Sequence, residues 1–160
     1  MSVSEQVSAH LPSLRRFARA ATGSQKSGDA YVASTLEAIL ADPSLFATDL
    51  PPRVALFRTF LKIVNSISVN GKSDVPQLGV DAASRNLGVL APKARQAFLL
   101  VAVEELSAQD AALALDIDAA ELERLIDEAG RSIAEQIATE VVIIEDEPLI
   151  AMELEILVRE

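Results

Sequence analysis

Residues 104–137 read EELSAQDAALALDIDAAELERLIDEAGRSIAEQI, and the spacing within them decides the fold. Ser107-Ala-Gln-Asp110 has the spacing of a capping box, with Asp in place of the usual Glu or Gln, and predicts a short helix to about Leu115. Asp118-Ala-Ala-Glu121 repeats that spacing with an Asp cap and predicts a longer helix to about Ile137. Its inward stripe is Leu122, Leu125, Ile126, Ala129, Ile133 and Ile137. The two helices are separated by the tight turn Asp116-Ile117-Asp118. A short helix, a turn and a second helix make the outline of a helix-turn-helix.

Helical periodicity continues upstream. Pro92 opens a helix over about 92–105, with Ala94, Ala97, Phe98, Val101 and Ala102 available for burial. Before it, NGKSDVPQLGV (residues 70–80) concentrates Gly, Pro, Asn, Ser and Asp and predicts a linker extending to about residue 88. Three further helices are expected in the first 69 residues. One spans about 11–21, with Leu11, Leu14, Phe17, Ala18 and Ala21 inward, Arg15, Arg16 and Arg19 outward, and Gly23 at its end. One runs from about Asp29 to Ala41 on Val32, Leu36, Ile39 and Leu40, and one from about 52 to 68 on Phe57, Phe60, Leu61, Val64 and Ile67. Downstream the pattern changes. Val141-Val-Ile-Ile144 is a β-branched run that predicts a strand, followed by Glu145-Asp146-Glu147-Pro148 and an amphipathic segment over 149–159. The expected fold is therefore all-α in two small helical lobes, with a short β-α element at the C-terminal end. The lobes are placed at 1–69 and 89–138, the linker at 70–88 and the last element at 139–160.

Composition narrows the function. With 160 residues, half of them apolar, the chain can bury a core, but six aromatics and no Trp leave that core to Ala, Leu, Ile and Val. The absence of Cys excludes disulfides, thiolate metal sites and a cysteine nucleophile. A single histidine, His10, excludes His-rich metal sites; with no acid or nucleophile assignable to it, a surface or capping role is expected. Neither a phosphate-binding glycine loop nor a nucleophile motif occurs, so no enzymatic activity is expected. The N-terminus has no basic run leading into an apolar stretch, and no run of about 18 apolar residues exists to span a bilayer. A cytoplasmic protein is the expectation.

The net charge of −10 is unevenly divided. Residues 1–103 carry 11 basic and 7 acidic side chains, whereas residues 104–160 carry 3 and 17. Within Glu104–Glu128 nine acids (Glu104, Glu105, Asp110, Asp116, Asp118, Glu121, Glu123, Asp127, Glu128) stand against one base, Arg124. DNA affinity comes largely from Lys and Arg on phosphates, delivered by the second helix of such a motif. A net charge of −8 over these 25 residues opposes that contact.

Taken together, RRFARAATGSQKSGDAYVASTLEAIL with PPRVALFRTFLKIVNSIS resembles the first domain of an extracytoplasmic-function sigma factor, and residues 90–133 resemble the second. VVIIEDEPLIAMELEILV resembles the first strand and helix of a response-regulator receiver. That order of parts is similar to the PhyR-type general stress regulators of alphaproteobacteria, and the resemblance covers nearly the whole chain. It implies an anti-sigma-factor antagonist: a sigma-like decoy that captures a NepR-like anti-sigma factor, made available by phosphorylation of the receiver. It also implies that Glu145 and Asp146 are the acidic pair of a receiver Mg²⁺ site, incomplete without the rest of that domain, so that no cofactor is expected in this chain. Three acids before a proline also suit a helix N-terminus. The chain is expected to stop soon after the receiver begins, and so to bind an anti-sigma protein without a phosphodonor, as a monomer or in a heterodimer with that partner.

For partner contacts the sequence offers two faces. Away from Val32, Leu36 and Ile39, helix 29–41 presents Tyr31, Ser34, Thr35 and Ala38, a nearly uncharged face suited to a partner's amphipathic helix or equally to burial against another helix of this chain. On the second helix of the helix-turn-helix, Glu121, Arg124, Asp127 and Glu128 are the candidate contacts. A genuine extracytoplasmic-function sigma factor, binding promoter DNA and RNA polymerase, is the alternative. A response regulator whose helix-turn-helix binds DNA is a third.

Overall fold

Helix caps and prolines set most of the element boundaries. The protein is described by a computed structural model, in which residues 3–70 and 92–137 and positions 150 and 152 are described. Among the described residues, α1 (Val3–Thr22), α2 (Gln25–Ala41) and α3 (Pro52–Asn70) form an N-terminal lobe, with a 3-10 turn at Pro43–Leu45. A C-terminal lobe follows from α4 (Pro92–Phe98), a π-helical turn (Leu99–Val103), α5 (Ala108–Leu115) and α6 (Ala119–Ile137). Ser107 caps α5 by accepting from the Asp110 N–H (3.1 Å), and Asp118 caps α6 by accepting from Glu121 (2.8 Å). Asp116 takes the left-handed conformation (φ 58°) that turns the chain between them, its N–H donating to the carbonyls of Ala112 and Leu113.

Three expectations about packing change. First, α1 starts well upstream of residue 11 and carries Pro12 inside it. The ring leaves the Ser8 carbonyl without its helical donor, a cost that packing of Val3, Val7, Leu11 and Leu14 against α2 and the core offsets. Second, the buried stripe of α2 is Gly28, Val32, Thr35 and Ile39; Leu36 is half-buried, and Leu40, expected inside, is 79% exposed. Gly28 sets this rotation. A Cβ built there would stand 2.7 Å from the Arg19 nitrogen and 2.8 Å from its Cα, so the two backbones cross at this point. Third, Ala102, expected inside, is exposed, while Leu99 and Leu100 are buried. The wide turn at Leu99–Val103 accommodates an extra residue and breaks the 3.6-residue register on which the expectation rested.

The lobes share one core. Val54, Ala55, Leu56 and Phe57 are all almost inaccessible, which a single inward stripe does not allow. α3 is covered by α1 and α2 on one side and by α5 on another. Phe17 of α1 stands edge-on to Phe57 (5.1 Å between centroids) and Phe60 (6.0 Å), so the two α3 aromatics lie in the core as expected. Further ties cross between lobes: Gln96 Nε2 donates to Asn65 Oδ1 (3.0 Å), and Arg95 Nη1 to the Ala21 carbonyl (3.2 Å). No described helix is long and apolar enough to cross a membrane. The expected strand at 141–144, the pair Glu145 and Asp146, and all but the first residue of the 70–88 linker lie outside the described residues.

Candidate functional site

The chemistry of the two lobes meets at Glu104, the residue that follows the π-helical turn. Its side chain is fully buried, yet it points at the other lobe. Arg16 of α1 grips both carboxylate oxygens, Nε to Oε1 at 2.9 Å and Nη2 to Oε2 at 2.8 Å. Arg53 of α3 donates to Oε2 (3.0 Å) and to the Glu104 carbonyl (2.6 Å), and the Ser13 hydroxyl of α1 donates to Oε2. Burial alone would push this carboxyl up. The hydrogen bonds from Arg16, Ser13 and Arg53 and the charge of Arg16 outweigh it and hold the group below the usual carboxylate range. Arg16 is correspondingly held charged by its hydrogen bond to Glu104. Glu105 adopts φ 54°, a turn that ends the π-helical segment and leaves its own side chain exposed.

A second crossing pair lies nearer solvent. Arg58 of α3 bonds Asp116 in the turn before α6, and Lys62 stands 3.6 Å from the other Asp116 oxygen. Two of the nine acids counted against DNA are therefore committed to the N-terminal lobe. Glu104 does not belong to the helix-turn-helix surface at all, which corrects the charge expected there. Sequence spacing gave no sign of this role, because the π-helical turn that aims Glu104 inward has no periodic signature.

The outer face of α6 keeps its acidic character. Arg124 bonds Glu121 through Nε and Nη2 (2.8 Å each) and Glu128 through Nη1 (3.1 Å). This pairing raises the Arg124 pKa, first through the Glu121 hydrogen bond, and lowers that of Glu121. The cation in the N-terminal half of α6 is thus already neutralised within its own helix. Asp127 is exposed one turn along. The structure brings these four candidate residues onto one helix, with Arg124 at the centre of the ion-pair ladder.

On α2 the candidate face divides. Tyr31 and Ala38 are half-buried, Tyr31 against the core, and Ser34 is exposed. Thr35 is fully buried, its hydroxyl donating to the Tyr31 carbonyl (2.8 Å), so it is removed from the accessible face. A polar side chain that satisfies itself on its own helix backbone packs as a small core residue. The apolar groove beside α2 lies elsewhere: the exposed Leu40, the half-buried Leu36 and the buried Ile39 join Val3, Val7 and Leu11 of α1 and Pro43 around a volume of about 290 Å³. His10 is half-buried on α1. Among the described residues no group of three or more His, Asp or Glu converges as a metal site.

With this geometry in place, comparison with known proteins is informative. The chain matches the Sigma2 domain of PhyR over residues 7–61 and the sigma-like domain of the response regulator PhyR over residues 87–136. It is 39% identical to the PhyRSL chain of the NMR structure of a PhyRSL–NepR complex from Sphingomonas sp. Fr1, covering 92% of this chain and 97% of that one with a TM-score of 0.73. The chain belongs to the PhyR family. It is 52% identical over 159 residues to the phyllosphere-induced regulator PhyR of Methylorubrum extorquens, which accounts for 99% of this chain and 59% of that protein. Against the anti-anti-sigma factor PhyR of Bartonella quintana in complex with the anti-sigma factor NepR, the TM-score is 0.81 at 43% identity, covering 99% of this chain and 60% of that one. The chain thus spans about three fifths of the length of these longer PhyR relatives.

Proposed function

We propose that this chain is an anti-sigma-factor antagonist: a sigma-like module that captures a NepR-type anti-sigma factor in the general stress response, acting by binding rather than catalysis. The observation that carries the reading is that its described lobes resemble a sigma-like fold while the helix that would enter DNA is acidic and its Arg124 is already paired. Two further facts support it. PhyR of Bartonella quintana was solved in complex with NepR, and the present chain superposes on that structure with a TM-score of 0.81. The exposed apolar groove of the N-terminal lobe and the acidic α6 of the C-terminal lobe also give a partner one surface of each kind, apolar for affinity and charged for partner choice.

In this proposal residues 1–69 and 89–138 are the two sigma-like lobes and 70–88 the segment joining them, while 139–160 begin a receiver. Mg²⁺ enters only with a complete receiver, for which Glu145 and Asp146 are oxygen donors of the type this ion prefers. The site of action is the cytoplasm.

Calorimetric titration with the cognate NepR-type anti-sigma factor tests the reading. We expect a saturable one-to-one complex without any phosphodonor, and no shift of promoter DNA at low salt. Absence of binding, or a salt-dependent DNA shift, sinks the proposal; the second outcome favours a working sigma factor.

A further inference from the structure

Carboxylates are seldom fully buried, and breaking a buried ion pair is costly, whereas an apolar replacement of the pair is often tolerated. The Glu104 cluster therefore adds little to stability that packing could not supply. In some proteins a buried, multiply bonded charge instead fixes a single arrangement of the parts that hold it. Here the parts are the two lobes. The carboxylate comes from the C-terminal lobe, and all the donors that the structure gives its side chain, Ser13 and Arg16 on α1 and Arg53 on α3, come from the N-terminal one. Arg53 also caps the Glu104 carbonyl, so backbone and side chain are fixed together.

We propose that Glu104 is a positioning residue that locks the two lobes in the relative orientation a partner spanning both requires. This inference rests on the function proposed above. Without the lock, non-directional apolar contacts between α3 and α5 still join the lobes, as do the separate ties of Arg58 to Asp116, Gln96 to Asn65 and Arg95 to the Ala21 carbonyl. The cluster that clamps one carboxylate from both α1 and α3 is gone, however, and the orientation loosens. A partner reaching both lobes then binds only the fraction of molecules that hold the right one, and its apparent affinity falls by that fraction. The asymmetry of the cluster makes the test clean. Removing the charge of Glu104 leaves Arg16, 59% exposed, and Arg53, 32% exposed, free to hydrate.

The chain has no Cys, so labels can be placed at will. Spin labels at Lys26→Cys on α2 and Glu123→Cys on α6, both exposed positions, report the distance between lobes in the free protein. In E104Q we expect the distance distribution to broaden, helicity at 25 °C to be retained, and affinity for the NepR-type anti-sigma factor to drop about tenfold if a tenth of the molecules stay competent. Bridging Arg58→Cys and Asp116→Cys with a flexible bismaleimide in the E104Q background restores affinity in this scheme, since a tether replaces the lock. An unchanged distribution overturns the proposal, and so does loss of helicity in E104Q, which assigns Glu104 to folding instead. If the parent chain fails to bind the anti-sigma factor, the function proposed above fails, while the distance measurement in the free protein still decides the positioning role.

Discussion

Gly28 and Gly130 are both helical glycines, and their surroundings predict opposite responses to the same substitution. At Gly28 an added Cβ meets only backbone, the Arg19 nitrogen and Cα and the Ala18 carbonyl carbon, all within 2.9 Å. Relief requires α1 and α2 to move apart, and forcing a methyl group into such packing costs about 1–3 kcal/mol. Ala gains up to about 1 kcal/mol over Gly in helix propensity, which is too little to compensate. At Gly130 nothing lies within 4 Å of the added atom, so the propensity gain stands alone. We expect Gly28→Ala to lower the thermal midpoint by several degrees and Gly130→Ala to raise it by up to about 4 °C, on the scale of 2–4 °C per kcal/mol for a chain of this size. Differential scanning calorimetry of the two variants checks both signs. Gly28→Ala at or above the parent midpoint contradicts the close crossing of α1 and α2.

For whole elements, caps and breakers carried most of the information. Ser107 and Asp118 each accept the backbone hydrogen bond that their spacing implied, and α3 begins on Pro52 and α4 on Pro92. The prediction at this scale is that Ser107→Ala destabilises the protein by about 1 kcal/mol, whereas Ser107→Asn, another good cap, stays within a few tenths of the parent. Urea unfolding at constant slope resolves the difference; equal losses in both variants remove the cap from the account. What the sequence did not disclose shares one physical cause. The π-helical turn at Leu99–Val103, Pro12 within α1 and the inward Thr35 of α2 are places where tertiary packing overrides local preference. Sequence leaves the Thr35 face open between a partner and burial, and places Leu40 inward because it is apolar. The crossing at Gly28 decides both, and it involves residues of two helices. Glu104 was legible as an acid near a helix-turn-helix but not as a contact to α1, because Arg16 lies 88 positions away and periodicity says nothing about such pairs. The acidic face of α6 was legible in full, since Glu121, Arg124 and Glu128 interact at helical spacing.

At the scale of the molecule, the question is whether the two lobes unfold as one unit. The buried residues of both form a continuous apolar cluster through α3 and α5, and Glu104, Asp116, Gln96 and Arg95 add polar ties across the same boundary. Losing either lobe exposes the α3 face that the other covers, so a half-folded state is disfavoured. Tyr31 is the single tyrosine and there is no Trp, so tyrosine fluorescence reports the N-terminal lobe alone, while far-ultraviolet dichroism reports the helices of both. We expect the two signals to trace the same thermal transition at neutral pH. Acid should then weaken the lobes together. Glu104 is held low in the folded protein, as is Asp29 by Arg19 and Arg15, so each contributes stability that is complete above its unfolded value, about 4 for such carboxylates, and is lost as pH falls through the folded value. The midpoint should therefore fall as the solution is acidified below about pH 5, and less steeply in E104Q, which has no carboxylate to protonate at that position. Two separated transitions in the parent chain at neutral pH, with tyrosine and dichroism midpoints several degrees apart, defeat the idea of a shared core. An acid limb equally steep in E104Q shows that the titration belongs to other carboxylates.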